Sequence, residues 1–126
     1  MTQQSDSARD LGSPDEPGGL GDLLFENSRV RIWQLVLAPG ETCAWHRHDM
    51  EHLLIVVDGC SVGAKLADGS TREFDIADGT VLVQSRKDQA EIAWNSSAGR
   101  TLRELIVEFK DSPPTETEQA TFTFFQ

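Results

Sequence analysis

Apolar positions along this chain fall in short runs of roughly four to eight residues separated by polar breaks, the spacing of strands rather than helices. The runs begin near Leu20. "LLFEN" and "RVRIWQLVLAPG" are the first two. In the second, Val30 and Ile32 alternate with Arg29 and Arg31 before a continuous apolar stretch, and Ala38-Pro39-Gly40 ends it with a turn. Three Asp-Gly pairs follow, Asp58-Gly59, Asp68-Gly69 and Asp78-Gly79, each ten residues after the last. Asp-Gly supplies the positive φ angles of tight hairpins, so "CSVGAKLA", "STREFDIA" and "TVLVQS" are predicted to be strands joined by hairpin turns. Two further strands are predicted over residues 89–96 and 100–109, with "NSSAG" turning between them. Strands recurring every 8–12 residues or so, with no persuasive helical period in the central region, predict an all-β sandwich or barrel.

The two ends break this pattern. Residues 1–19 are rich in Ser, Asp, Gln, Pro and Gly, offer almost nothing to bury, and read as a flexible N-terminal arm ahead of a barrel over residues 20–110. Residues 111–126 pass through Pro113 and Pro114 and finish in "TFTFFQ". Phe122, Phe124 and Phe125 make that ending an apolar tail expected to dock on the barrel or on a partner subunit.

With 126 residues the chain has room for one core, and its 38% hydrophobic and 25% charged content is that of a globular domain. A formal charge of −10 argues against nucleic acid and against anionic membrane surfaces, both of which call for clustered Lys and Arg. No apolar run approaches the ~20 residues of a membrane-spanning helix, and the N-terminus lacks the basic and apolar regions of a secretory signal. The expected compartment is therefore the cytoplasm, whose reducing conditions argue against a disulfide between Cys43 and Cys60.

All three histidines lie between Pro39 and Gly59: His46, His48 and His52. If "TCAWHRH" is a strand, alternation projects His46 and His48 on one face together with Ala44, and Cys43, Trp45 and Arg47 on the other. Residues 49–51 would then turn, and "HLLIVV" would return with His52, Leu54 and Val56 facing inward. Three neutral imidazoles in that arrangement define one face of a metal and leave other positions open. The plain alternative is a surface pair of histidines in a loop.

The glycines around these histidines bear on that choice. Gly40 is followed by five residues, His46, one residue, His48, three residues, position 52, six residues and Gly59. This resembles the first motif of the cupin superfamily, G-x5-H-x-H-x3 or 4-E-x6-G, complete at both glycines and both histidines. His52 stands where the family has Glu, with Glu51 one residue earlier. Alternation favours His52 as the ligand, while a local bulge would bring Glu51 inward instead. The second cupin motif is degenerate. Counting forward from Gly79 puts Ala90 at its histidine position, whereas counting back from Asn95 puts Glu91 there. Glu91 is thus a candidate fourth ligand, unless the large Ile92 and Trp94 take the inward face.

The resemblance implies a cupin-type double-stranded β-helix, or jelly-roll barrel, holding one divalent transition metal (Fe, Mn, Ni or Zn) on His46, His48, His52 and Glu91. It implies a small-molecule ligand and a homodimer formed through edge strands. The chain looks loosely similar to small bacterial cupins associated with β-alanine degradation, a likeness that carries no substrate. Cupins include dioxygenases and also proteins that only bind or sense, so two readings stand. One is a mononuclear metalloenzyme, dioxygenase-like; the other is a non-catalytic ligand-binding or sensing module. The absence of Tyr excludes a phenolic acid or base. Alternation places Cys43 on the wrong face for ligation and Trp45 outside the pocket, and Trp33 and Trp94 are read as core residues rather than pocket walls. Arg86 and Lys87 are read as a solvated hairpin tip.

Overall fold

A computed structural model describes residues 11–110; most of the predicted arm and the whole of the predicted apolar tail lie outside the described residues. Among the described residues there are eight strands: β1 (Asp22–Glu26), β2 (Val30–Leu37), β3 (His52–Asp58), β4 (Ser61–Leu66), β5 (Thr71–Asp75), β6 (Val81–Gln84), β7 (Glu91–Asn95) and β8 (Leu102–Phe109). All pairings are antiparallel, within a five-stranded sheet ordered β1-β2-β8-β3-β6 and a three-stranded sheet ordered β5-β4-β7. No helix long and apolar enough to cross a membrane occurs among the described residues. The all-β architecture read from the spacing of apolar runs is the one observed.

The two sheets face each other and enclose the core. β2 and β8 pair in unbroken register from Val30–Phe109 to Leu37–Leu102. Because side chains alternate faces, Leu35 and Leu37 on β2, Leu102 and Ile106 on β8, and Leu54 on β3 all reach the inner face. Leu37 and Leu102 are almost completely buried against Cys43, Cys60 and Val62. Burying each such leucine contributes about 1.5–3 kcal/mol.

The Asp-Gly pairs behave less uniformly than their sequence suggests. Only Asp68-Gly69 turns a hairpin, between β4 and β5. There Gly69 takes φ +93° and the Asp68 carboxylate accepts from Ser70 N and Ser70 Oγ. Asp58-Gly59 and Asp78-Gly79 instead carry the chain from one sheet to the other. The two corners are bonded together, with Gly59 N donating to Asp78 Oδ1 at 2.7 Å. Gly59 packs so tightly on the Ile76 carbonyl that a Cβ there would collide with it. The prediction of three hairpins fails because the dipeptide specifies a bend, and only the sheet order decides which strands that bend joins.

Part of the segment read as an arm lies along the barrel. Trp45 N donates to Leu11 O and Gly18 N to Trp45 O, so residues 11–18 run beside the histidine segment.

Candidate metal centre

The segment carrying His46 and His48 is the irregular part of the barrel. Expected as a strand, it meets β7 through isolated bridges, Thr42–Trp94 and His46–Glu91, instead of a ladder. From 42 to 46 is four residues, and the facing step from 94 to 91 is three, so one extra residue is accommodated on the histidine side. This bulge changes the alternation. Cys43, predicted to face away from His46, is buried with its Sγ 3.7 Å from His46 Nδ1.

β7 holds the opposite side in place. Asn95 is fully buried and its amide donates to Leu37 O and Arg100 O, while its Oδ1 accepts from Ser97 N and Ser97 Oγ. Its backbone is clamped by Gly40 N and Glu41 O. With Asn95 fixed inward, alternation turns Glu91 and Ala93 inward too. Trp94 faces outward across Gly63, where a Cβ would collide with the indole. The competition between Glu91 and the large apolar pair Ile92 and Trp94 is thus decided for Glu91.

The result is a convergence of three side chains. His46 Nε2 lies 3.3 Å and His48 Nε2 3.4 Å from the same oxygen, Glu91 Oε2. Ligand atoms of all three residues fall within 4.8 Å of one another. His46 Nδ1 is 2.9 Å from Ala44 O; a carbonyl only accepts, so Nδ1 carries a hydrogen and Nε2 is the nitrogen aimed at the carboxylate, an N–H donor in the protonated ring and a ligand lone pair once that proton is displaced. In the metal-free protein a proton on His46 supplies the positive charge beside Glu91, and a metal cation can take that proton's place. His48 Nδ1 is buried without a partner. Two imidazoles and one carboxylate form a donor set suited to a divalent transition metal, and the residues present fit such an ion.

The electrostatics agree with this geometry. The His46 and His48 hydrogen bonds hold the Glu91 carboxyl well below the usual carboxylate range, against the opposing effect of burial. Burial by itself works against a charge on His46, yet Cys43, Glu91 and the Ala44 carbonyl together raise its proton affinity. Burial and the neighbouring histidines lower that of His48, although Glu91 opposes them.

His52, expected as the third imidazole, is placed differently. It opens β3, which pairs with β8 and β6 rather than with the histidine segment. Completely buried, it has Nδ1 2.9 Å from Met50 O and Nε2 2.9 Å from Gln84 Oε1, so both ring nitrogens are engaged. Its ring stacks on that of His48 at 4.0 Å, where it braces a donor without joining the cluster. Glu51, the alternative, is exposed and outside the cluster. Lys87 N donates to His48 O, which ties the supposed hairpin tip to the site.

Beside the cluster lies a cavity of about 670 Å³. Its walls are mostly apolar, and His46, His48, Glu91, Gln84 and Glu104 are among its polar members. Gln84 and Glu104 were not anticipated as site residues. The sequence carries a signal for Glu104: on β8 it shares parity with Leu102, Ile106 and Glu108, an acid set between two aliphatic side chains in the middle of that face.

No protein-family model matches the sequence, and no curated protein matches it either. Solved structures do. A cupin domain protein from Bordetella pertussis superposes with a TM-score of 0.63 at 19% identity, covering 75% of this chain and 95% of that one. An RmlC-like cupin with a double-stranded β-helix fold, from Methanocaldococcus jannaschii, gives 0.54 at 18% identity over 75% and 83% of the two chains. The fold is that of the cupins. A conserved protein with a double-stranded β-helix domain from Klebsiella pneumoniae extends the match to 90% of this chain and 92% of that one, with a TM-score of 0.55 at 16% identity. Within the cupin barrel, the Gly40–Gly59 motif supplies the two histidines and β7 supplies the carboxylate.

Proposed function

We propose that this cupin holds one divalent transition metal on His46, His48 and Glu91 and acts on a small organic molecule in its barrel, in the manner of a mononuclear oxygenase. The observation that carries the reading is the approach of both Nε2 atoms to one Glu91 oxygen, on the wall of a cavity large enough for a small ligand. Fe, Mn, Ni or Zn on this donor set would supply Lewis-acid or oxygen-activating chemistry. The chain's own residues orient and enclose. The Ala44 carbonyl fixes the His46 tautomer, His52 braces the His48 ring, and Leu54, Leu102 and Ile106 keep water from the inner wall.

Metal analysis of the purified and reconstituted protein, followed by alanine substitution of His46 and His48, tests the site. One metal per chain, abolished in the double variant, is the expected result; no metal after reconstitution sinks the proposal. Oxygen consumption with a panel of β-diketones, thiols, β-amino acids and β-keto acids then separates turnover from binding or sensing. A homodimer belongs to the same reading. β1 and β6 are the two edges of the larger sheet, and Val81 and Val83 on β6 are 56% and 71% exposed. Light scattering of Val83→Lys against the wild type measures it, with a shift to monomer expected.

A further inference from the structure

Glu104 is a charged side chain that the metal site does not use. It lies on the inner face of β8, between Leu102 and Ile106 and opposite Leu35 on β2 and Val56 on β3. Among the described residues no hydrogen bond or ion pair reaches its carboxylate. Burial pushes its pKa up to about 7, with Glu91 adding to the effect and His46 opposing it. A carboxyl turned into an apolar cavity loses its hydration and recovers it only from a partner.

We propose that Glu104 anchors the cationic nitrogen of a small organic amine, whose apolar body lies against Leu35, Leu54, Leu102 and Ile106. The choice of an amine rests on the charges around the cavity. Of the acids that line it, Asp22 is exposed and Glu41 accepts from Ala38 N, which leaves Glu91 and Glu104 on the inner walls; of the basic lining residues, Arg72 and Lys87 are exposed and His46 is paired with Glu91. An ammonium gains a charge-assisted hydrogen bond at Glu104, an alcohol gains an ordinary one, and a carboxylate is repelled. Glu91 is already engaged by His46 and His48, which leaves Glu104 as the inner-wall carboxylate open to a ligand. The proposal deepens the small-molecule part of the reading above and does not depend on the metal.

The test compares n-hexylammonium, n-hexanol and n-hexanoate by ligand-observed NMR titration of the full chain, in metal-free and reconstituted forms. Wild type is set beside Glu104→Gln and Glu104→Leu, with thermal melts to confirm folding. In the metal-free protein hexylammonium binds at least about tenfold more tightly than hexanol, and hexanoate most weakly. Glu104→Gln loses about tenfold in hexylammonium affinity and changes hexanol affinity by less than about twofold, and Glu104→Leu reverses the preference. Hexanol or hexanoate binding metal-free wild type as tightly as hexylammonium overturns the proposal. So does undiminished hexylammonium binding to both variants, or no binding of any probe. Metal analysis of the same samples reads the metal site separately, so the failure of one is distinguishable from the failure of the other.

Discussion

The two walls of the barrel are built differently. β2 and β8 pair along all eight residues of β2 without a break in register, and their inner face is apolar except near its ends and at Glu104. On the opposite wall the histidine segment meets β7 through isolated bridges with one residue in excess. A regular ladder repeats one environment every second residue, which suits a packed core. A bulge re-aims side chains, which here brings two histidines and a carboxylate to one point. The contrast extends to the acids each wall turns inward. Glu91 is partnered and held below the usual carboxylate range, whereas Glu104 is unpartnered and held above it.

The largest test of this division is His46→Ala with His48→Ala, which removes all bound metal, from one per chain to none, and leaves the fold readable by circular dichroism. Leu102→Ala makes the reciprocal change. It opens a cavity in the regular wall and costs about 2–5 kcal/mol in denaturant melts, while metal content stays at one per chain. Loss of metal in that variant would mean that the two walls are not separable.

Glu91 and Glu104 give opposite slopes of stability against pH in the metal-free protein. Glu104 has its folded pKa raised from 4.5 to about 7. The folded state therefore binds more protons than the unfolded state between those values, and the contribution of Glu104 to stability falls as pH rises through that window. Glu104→Gln abolishes that decline and leaves the protein more stable above neutrality by up to ~3 kcal/mol. Glu91, depressed in the fold, stabilises above its ordinary value of 4.5, and this contribution is lost as pH falls below it. Glu91→Gln therefore flattens the acid limb instead. Urea melts across the pH range check both, and equal slopes in the two variants would remove the distinction between the carboxyls.

The smallest effect on metal content is expected from His52→Phe. An aromatic ring remains stacked on His48, Gln84 loses its partner, and the melting temperature drops by a few degrees while metal stays bound. Loss of the metal on this substitution would return His52 to the ligand set.

Local chemistry made much of this legible. Each of the eight strands overlaps an apolar run, because alternation and turn residues act over a few positions. The Gly40–Gly59 spacing pointed to the barrel and to His46 and His48. Glu91 could be named from its distance to Asn95 but not oriented, since Ile92 and Trp94 offer an equally good inward face until Gly63 and the Asn95 hydrogen bonds are in place.

By itself, then, the sequence determined the eight strands, the all-β class and two histidines of the cluster, all properties of residues near one another in the chain. Tertiary structure decided which sheet each strand joins, that two Asp-Gly pairs are corners between sheets, and that Glu91 completes the cluster while His52 braces it. It also decided that Cys43 approaches His46. Those outcomes depend on a one-residue mismatch between segments about fifty residues apart, and alternation read along one strand cannot register a bulge defined only by its partner.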